Sequence, residues 1–123
     1  MKDSLGYLAS VYTLYADGLD AAFEAAARIG ARLLRSGIFV YSPIVHLHSM
    51  ARFGRLDPLD LTLFYPHNTV MMARCDTLIV ARMEGWTKSS GIAGEVEFFT
   101  KADKPIFDLD PNTLSMTKRL VAA

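Results

Sequence analysis

The stretch that decides the fold is Cys75 to Phe99, CDTLIVARMEGWTKSSGIAGEVEFF. Its first part, Thr77–Ala81, is short, apolar and β-branched, with no polar alternation. That is the character of an interior parallel strand, which is buried on both faces. A loop carrying Gly85 follows, and then apolar residues recur at helical spacing from about Ser90 to Ala102. A two-sided apolar strand running into an amphipathic helix is half of a βαβ unit, so the expected class is α/β.

The same alternation extends in both directions. LGYLAS, Leu5–Ser10, reads as a buried strand ahead of an alanine-rich segment from about Gly18 to Ser36. There Leu19, Phe23, Ala26, Gly30 and Leu33 form one apolar stripe. Asp17 is the expected N-cap and Gly37 the expected residue past the C-terminus. Ile38–Tyr41 is a second strand, which Pro43 stops, and KPIFDL a fourth. Ser42–Pro66 has three prolines and no sustained period, and a helix is expected only from about His67 to Arg74. Pro111–Ala123 reads as one short helix. The expectation is a single domain over residues 1–123 with a mainly parallel sheet of four to five strands. Ligands of such sheets bind beyond the strands' carboxyl ends.

Composition narrows the function. The 123 residues carry 13 basic and 13 acidic side chains and are 51% hydrophobic, so a core is affordable and no basic footprint for nucleic acid exists. No apolar run reaches the ~20 residues of a membrane span, and MKDSLGYLAS lacks the apolar core of a signal peptide. The lone cysteine, Cys75, fits a reducing, cytoplasmic setting and reads as packing.

The two glutamates of the closing helix differ. On a 3.6-residue wheel Ile92, Val96 and Phe99 form the buried seam. Glu97 precedes Lys101 by four residues, the favourable order for a solvated pair. Glu95 shares a face with Gly91, Gly94, Phe98 and Ala102, all small or apolar. A carboxylate there points into a cavity or against another chain. The nearby helix N-terminus is expected to favour its ionised form, and Ser89 and Ser90 to cap the helix or bind an anion. This combination suits a nucleophile or stabiliser of a cationic sugar transition state. A partly exposed helical glutamate beside plain serine caps is the simpler alternative.

YLASVY at the first strand end, VYSPIVHLH at the second, ARCDTLIV entering the third and GWTKSSGIAGE after it together resemble the nucleoside 2-deoxyribosyltransferase superfamily. The resemblance covers about Leu5 to Leu109 and is nearest to a small bacterial and phage branch related to the 2′-deoxynucleoside 5′-phosphate N-hydrolases. It implies a flavodoxin-like, Rossmann-like three-layer sandwich and chemistry at an N-glycosidic bond. It implies Glu95 as the nucleophile within S-x-G-x-x-x-E, formed by Ser89, Gly91 and Glu95, with Ser89 toward a 5′-phosphate. Tyr7 would hydrogen-bond Glu95, and Ser10 to Tyr12 would lie beside base and sugar. Val11 stands where relatives have proline. Asn68 stands where the family has an aspartate assisting departure of the base, eight residues before Asp76. Asparagine hydrogen-bonds but is no general acid, which keeps open a nucleotide-binding module with little turnover. Asp60 upstream is a spatial substitute.

His46 and His48 form an H-x-H pair at the proposed ligand edge. His46 is assigned a ligand contact; a metal site would need a third ligand, and no supporting acidic pattern accompanies His67. Trp86, in a loop, is assigned to the substrate, with a subunit interface or the core as alternatives. No metal or organic cofactor is expected. The expected partners are a nucleoside or nucleotide and further copies of the chain, as a dimer or tetramer, with the apolar 42–66 segment in contact. No G-x-G-x-x-G follows the first strand.

Overall fold

The computed structural model describes residues 4–120. Five strands and four α-helices alternate along the chain: β1 Leu5–Ala9, α1 Leu19–Arg35, β2 Phe39–Tyr41, α2 Pro43–Gly54, α3 Leu61–Arg74, β3 Thr77–Ala81, α4 Ser90–Lys101, β4 Ile106–Leu109 and β5 Met116–Lys118. A 3₁₀ turn, Trp86–Lys88, precedes α4. The sheet order is β2-β1-β3-β4-β5. The first four strands are parallel and β5 is antiparallel to β4.

Period-two alternation divides the core between the two sheet faces. Leu8, Ile79, Ala81 and Leu109 meet Ile29 and Leu33 of α1. Tyr7, Ala9, Leu78, Val80 and Ile106 meet Met72 of α3 and Ile92 and Phe99 of α4. All five residues of β3 are buried, as the opening stretch requires. Helices cover both faces, consistent with a three-layer α/β arrangement. At Gly6 a Cβ would come within 2.7 Å of Ile79 Cδ1, the far end of that side chain, which would have to shift.

Several local expectations change. The α1 N-cap is Gly18, with φ 97° and no side-chain cap, so Asp17 does not fill that role. Gly37 does take the left-handed conformation past α1, with φ 84°. Pro43 starts a helix rather than a loop: it occupies the first turn of α2, and Ser42 Oγ caps it by accepting from Val45 N–H at 3.2 Å. Helix α3 begins six residues earlier than expected, at Leu61, with Pro66 inside it. Its N-cap, Asp60, accepts from Thr62 Oγ1 at 2.7 Å and Leu63 N–H at 3.3 Å. The tail forms β5 rather than a helix; its last three residues lie outside the described ones. Among the described residues no helix is long and apolar enough to cross a membrane.

The β4–β5 corner is tied by charge. Arg119 donates to both carboxylate oxygens of Asp108 at 2.9 Å, and Arg82 approaches at 3.2 Å. Burial raises the Asp108 pKa, but the hydrogen bonds from Arg119 and Arg82 outweigh it and hold the carboxyl below its usual range. The resulting stabilisation is present above the unfolded carboxylate pKa and is lost as pH falls through the lower folded value. Asp108→Asn is expected to cost about 2 kcal/mol in denaturant unfolding at pH 7. The difference from wild type should shrink in strong acid.

Candidate active site

The chain runs from β1 outward to β2 and then returns past β1 to β3, so the strand order reverses between β1 and β3. Loops leaving the carboxyl ends of these two strands must diverge, which opens a crevice. A cavity of about 500 Å³ lies there. Five parts of the chain line it: Ser10, Tyr12 and Thr13 after β1, Ile44, Leu47 and His48 of α2, Pro58 and Leu59 of the loop that follows, Phe64, Tyr65 and Asn68 of α3, and Ser89, Ser90, Gly91, Ile92 and Glu95 at the start of α4. The volume suits a small-molecule ligand. Toward α2 and α3 the wall mixes apolar side chains with His48, Tyr65 and Asn68; toward α4 it is mostly polar.

Ser89 caps α4, its Oγ accepting from Ile92 N–H at 3.2 Å. The hydroxyl hydrogen remains free to donate into the cavity. Glu95 stands one turn further on, part of its surface opening onto the cavity. Burial pushes its pKa up to about 8, against the opposing influence of the Tyr7 hydroxyl. The expectation that the helix start would hold Glu95 ionised is therefore reversed: burial outweighs the influence of Tyr7 and keeps the carboxyl protonated into the neutral range.

Tyr7 is fully buried, its ring packed between Tyr41 at 5.7 Å and Phe99 at 6.0 Å. Burial, and then the nearby Glu95, raise its pKa far above the phenol value, so it stays a neutral donor. Its hydroxyl makes no fully aligned hydrogen bond, although it is close enough to Glu95 for each to shift the other's titration. Ser10 Oγ, Tyr41 Oη, His67 Nδ1 and Asn68 Oδ1 are likewise buried without partners. Buried polar atoms are normally paired. Here Ser10 and Asn68 face the cavity and Tyr7 borders its carboxylate, as groups prepared for a polar ligand would.

The structure thus brings Glu95, Asn68, Ser10, Tyr12, Ser89 and Gly91 around one cavity, with Tyr7 behind Glu95. Two assignments do not hold. His46 does not line the cavity; it stacks on His67 at 5.2 Å and packs against Tyr41 at 5.6 Å. Residues two apart on a helix diverge by about 200°, so within α2 only one member of the H-x-H pair can face the site. That member is His48. Trp86 also lies away from the cavity, packed on the core with the guanidinium groups of Arg82 and Arg119 at 4.9 and 5.8 Å from its ring centre.

Other residues take structural roles. Asp60 is committed to its cap and does not face the ligand. Asp76 accepts from Leu5 N–H at 2.8 Å. Glu97 pairs with Lys101 at 2.7 Å on the solvated face. Cys75 is buried, and desolvation pushes its thiol up to about 11, the setting of an inert packing group. Among the described residues no cluster of three or more histidine, cysteine, aspartate or glutamate side chains is arranged to hold a metal ion.

A family model described as Domain of unknown function (DUF1937) matches residues 4–110, and the chain belongs to that family. No curated protein matches the chain.

Proposed function

We propose that this protein cleaves, or transfers across, the N-glycosidic bond of a nucleoside or a (deoxy)nucleoside 5′-monophosphate. The reading rests on one observation: Glu95, Asn68 and Ser89, from two different helices and a cap, face the same cavity at the β1/β3 reversal. The 2-1-3-4-5 strand order supports a flavodoxin-like assignment for the sheet.

In this reading Glu95, once ionised, attacks C1′ of the sugar or stabilises its cationic transition state. Tyr7 donates to Glu95 and orients it. Ser89 Oγ–H and the unpaired amides at the start of α4 hold the phosphate or a sugar hydroxyl. The base lies against Ile44, Leu47 and Phe64, with Asn68 hydrogen-bonded to its edge. Water as acceptor gives hydrolysis; a second base gives transfer. No step needs a metal or organic cofactor. The exposed apolar residues Leu61, Leu63 and Val70 of α3 and Met50 and Phe53 of α2 support a homo-oligomer, and the single buried thiol supports a cytoplasmic setting.

The test is chromatographic detection of free base from a panel of nucleosides and 5′-monophosphates, with Glu95→Ala alongside. Release that disappears in the variant supports the reading; its absence from every substrate sinks it. A nucleotide-binding module with little turnover is the second reading. It is favoured by the amide at position 68 and by a Glu95 carboxyl that burial keeps protonated into the neutral pH range. It predicts nucleotide binding by calorimetry with no base release.

A further inference from the structure

Departure of a nucleobase needs a proton on the base, and neither Asn68 nor an ionised Glu95 supplies one. Tyr12 and His48 are the other buried or half-buried titratable groups on the cavity wall. Tyr12 Oη lies 2.6 Å from His48 Nδ1, and His48 Nε2 lies 2.8 Å from Asp20 Oδ1. A carboxylate only accepts, so Nε2 carries hydrogen, and in the neutral ring Nδ1 accepts from the tyrosine. The imidazole is 6% exposed and stacked on Phe23 at 4.7 Å, which fixes its plane. Asp20 is 70% exposed, with Arg52 at 4.0 Å. The three groups therefore form a continuous hydrogen-bonded line from solvent to the cavity.

We propose that Asp20, His48 and Tyr12 form a proton relay that delivers the leaving-group proton from solvent to the nucleobase. The proposal rests on the N-glycosidic reading above. When His48 holds a second proton, Nδ1–H donates to Tyr12 Oη and the phenolic hydrogen turns into the cavity. As the C1′–N bond breaks, its electron pair passes to the base nitrogen, which takes the Tyr12 proton. Tyr12 takes the Nδ1 proton in the same movement and stays neutral, leaving His48 neutral. The water that then attacks C1′ returns a proton to the relay, so one water is consumed per bond cleaved. Tyr12 touches the base; Asp20 acts through His48 as a positioning residue.

The test compares 2′-deoxyguanosine 5′-monophosphate with its N7-methyl derivative, whose base leaves without a proton. Tyr12→Phe and Asp20→Asn should lower release from the unmethylated substrate by about 10²–10⁴-fold relative to release from the methylated one. Asp20→Glu should restore the loss caused by Asp20→Asn. Asp20 is exposed and the asparagine isosteric, so that variant keeps the fold, and its melting curve checks this. Equal slowing of both substrates, or of neither, overturns the relay while a Glu95-dependent reaction stands. Wild type cleaving only the methylated substrate also overturns it. No release of base by wild type from either substrate, nor from any member of the nucleoside and 5′-monophosphate panel, overturns the relay and the N-glycosidic reading together.

Discussion

Glu95→Gln is expected to lower base release by on the order of 10⁴-fold or more, the loss typical of removing a group that acts directly at the reacting atom. The amide keeps size and hydrogen bonding but cannot bond to C1′ or balance a cationic sugar. For the N7-methyl substrate, whose base leaves without the relay, wild-type kcat/KM should rise with pH through about 8, because burial holds the carboxyl protonated below that value and only the ionised form is competent. The same substitution should stabilise the protein at alkaline pH. The folded state keeps the Glu95 proton from its ordinary value of 4.5 up to about 8, whereas the unfolded chain has released it. The wild-type contribution is therefore fully present below 4.5 and is lost as pH rises through about 8. Glutamine carries no buried charge to penalise, so its advantage in denaturant unfolding should grow between pH 5 and pH 9 by on the order of 3 kcal/mol. A variant that lost activity but gained nothing in alkali would mean that Glu95 is better solvated than its surroundings imply.

This opposition between stability and use explains which parts of the site were readable. Thr77–Ala81 and the Ile92, Val96, Phe99 seam follow from periodicity alone, and the seam places Glu95 off the solvated face. The cavity face could thus be inferred without coordinates. The charge state could not, because it depends on how completely Tyr7, α3 and α4 exclude water, which no helix wheel contains. Pro66 hid the first half of α3, since proline usually ends a helix, and with it Phe64 and Tyr65 of the cavity wall. Once Ser42-Pro43 is read as a helix start, Ile44, Leu47 and His48 fall on one face, and His48 displaces His46. Asp20 had no signal at all: its partner is 28 residues away, and only the packing of α1 on α2 brings them together. The β5 strand was missed because three residues of mixed polarity carry too little pattern to distinguish a strand from a loop.

Asn68→Asp in the Tyr12→Phe background is expected to recover about 10²-fold of the release from 2′-deoxyguanosine 5′-monophosphate that Tyr12→Phe removes. Asn68 Oδ1 is buried and has no partner, and among the described residues no lysine or arginine lines the cavity. A carboxyl placed there meets desolvation with no compensating cation, so it should remain protonated near neutral pH. It would also share the cavity with Glu95. Two carboxyls in one low-dielectric site do not both ionise readily, so one proton is retained between them. Substrate decides where it sits: a cationic sugar favours charge on Glu95, and the proton then belongs at position 68, beside the base. Acid and nucleophile are separated by environment alone. The single Asn68→Asp variant should gain less, because the tyrosine already supplies the proton. A double variant as slow as Tyr12→Phe would show that position 68 does not reach the base in the productive complex. Recovery would show that the base can be protonated from either wall of the cavity, and that this chain uses a tyrosine backed by histidine in place of an aspartate.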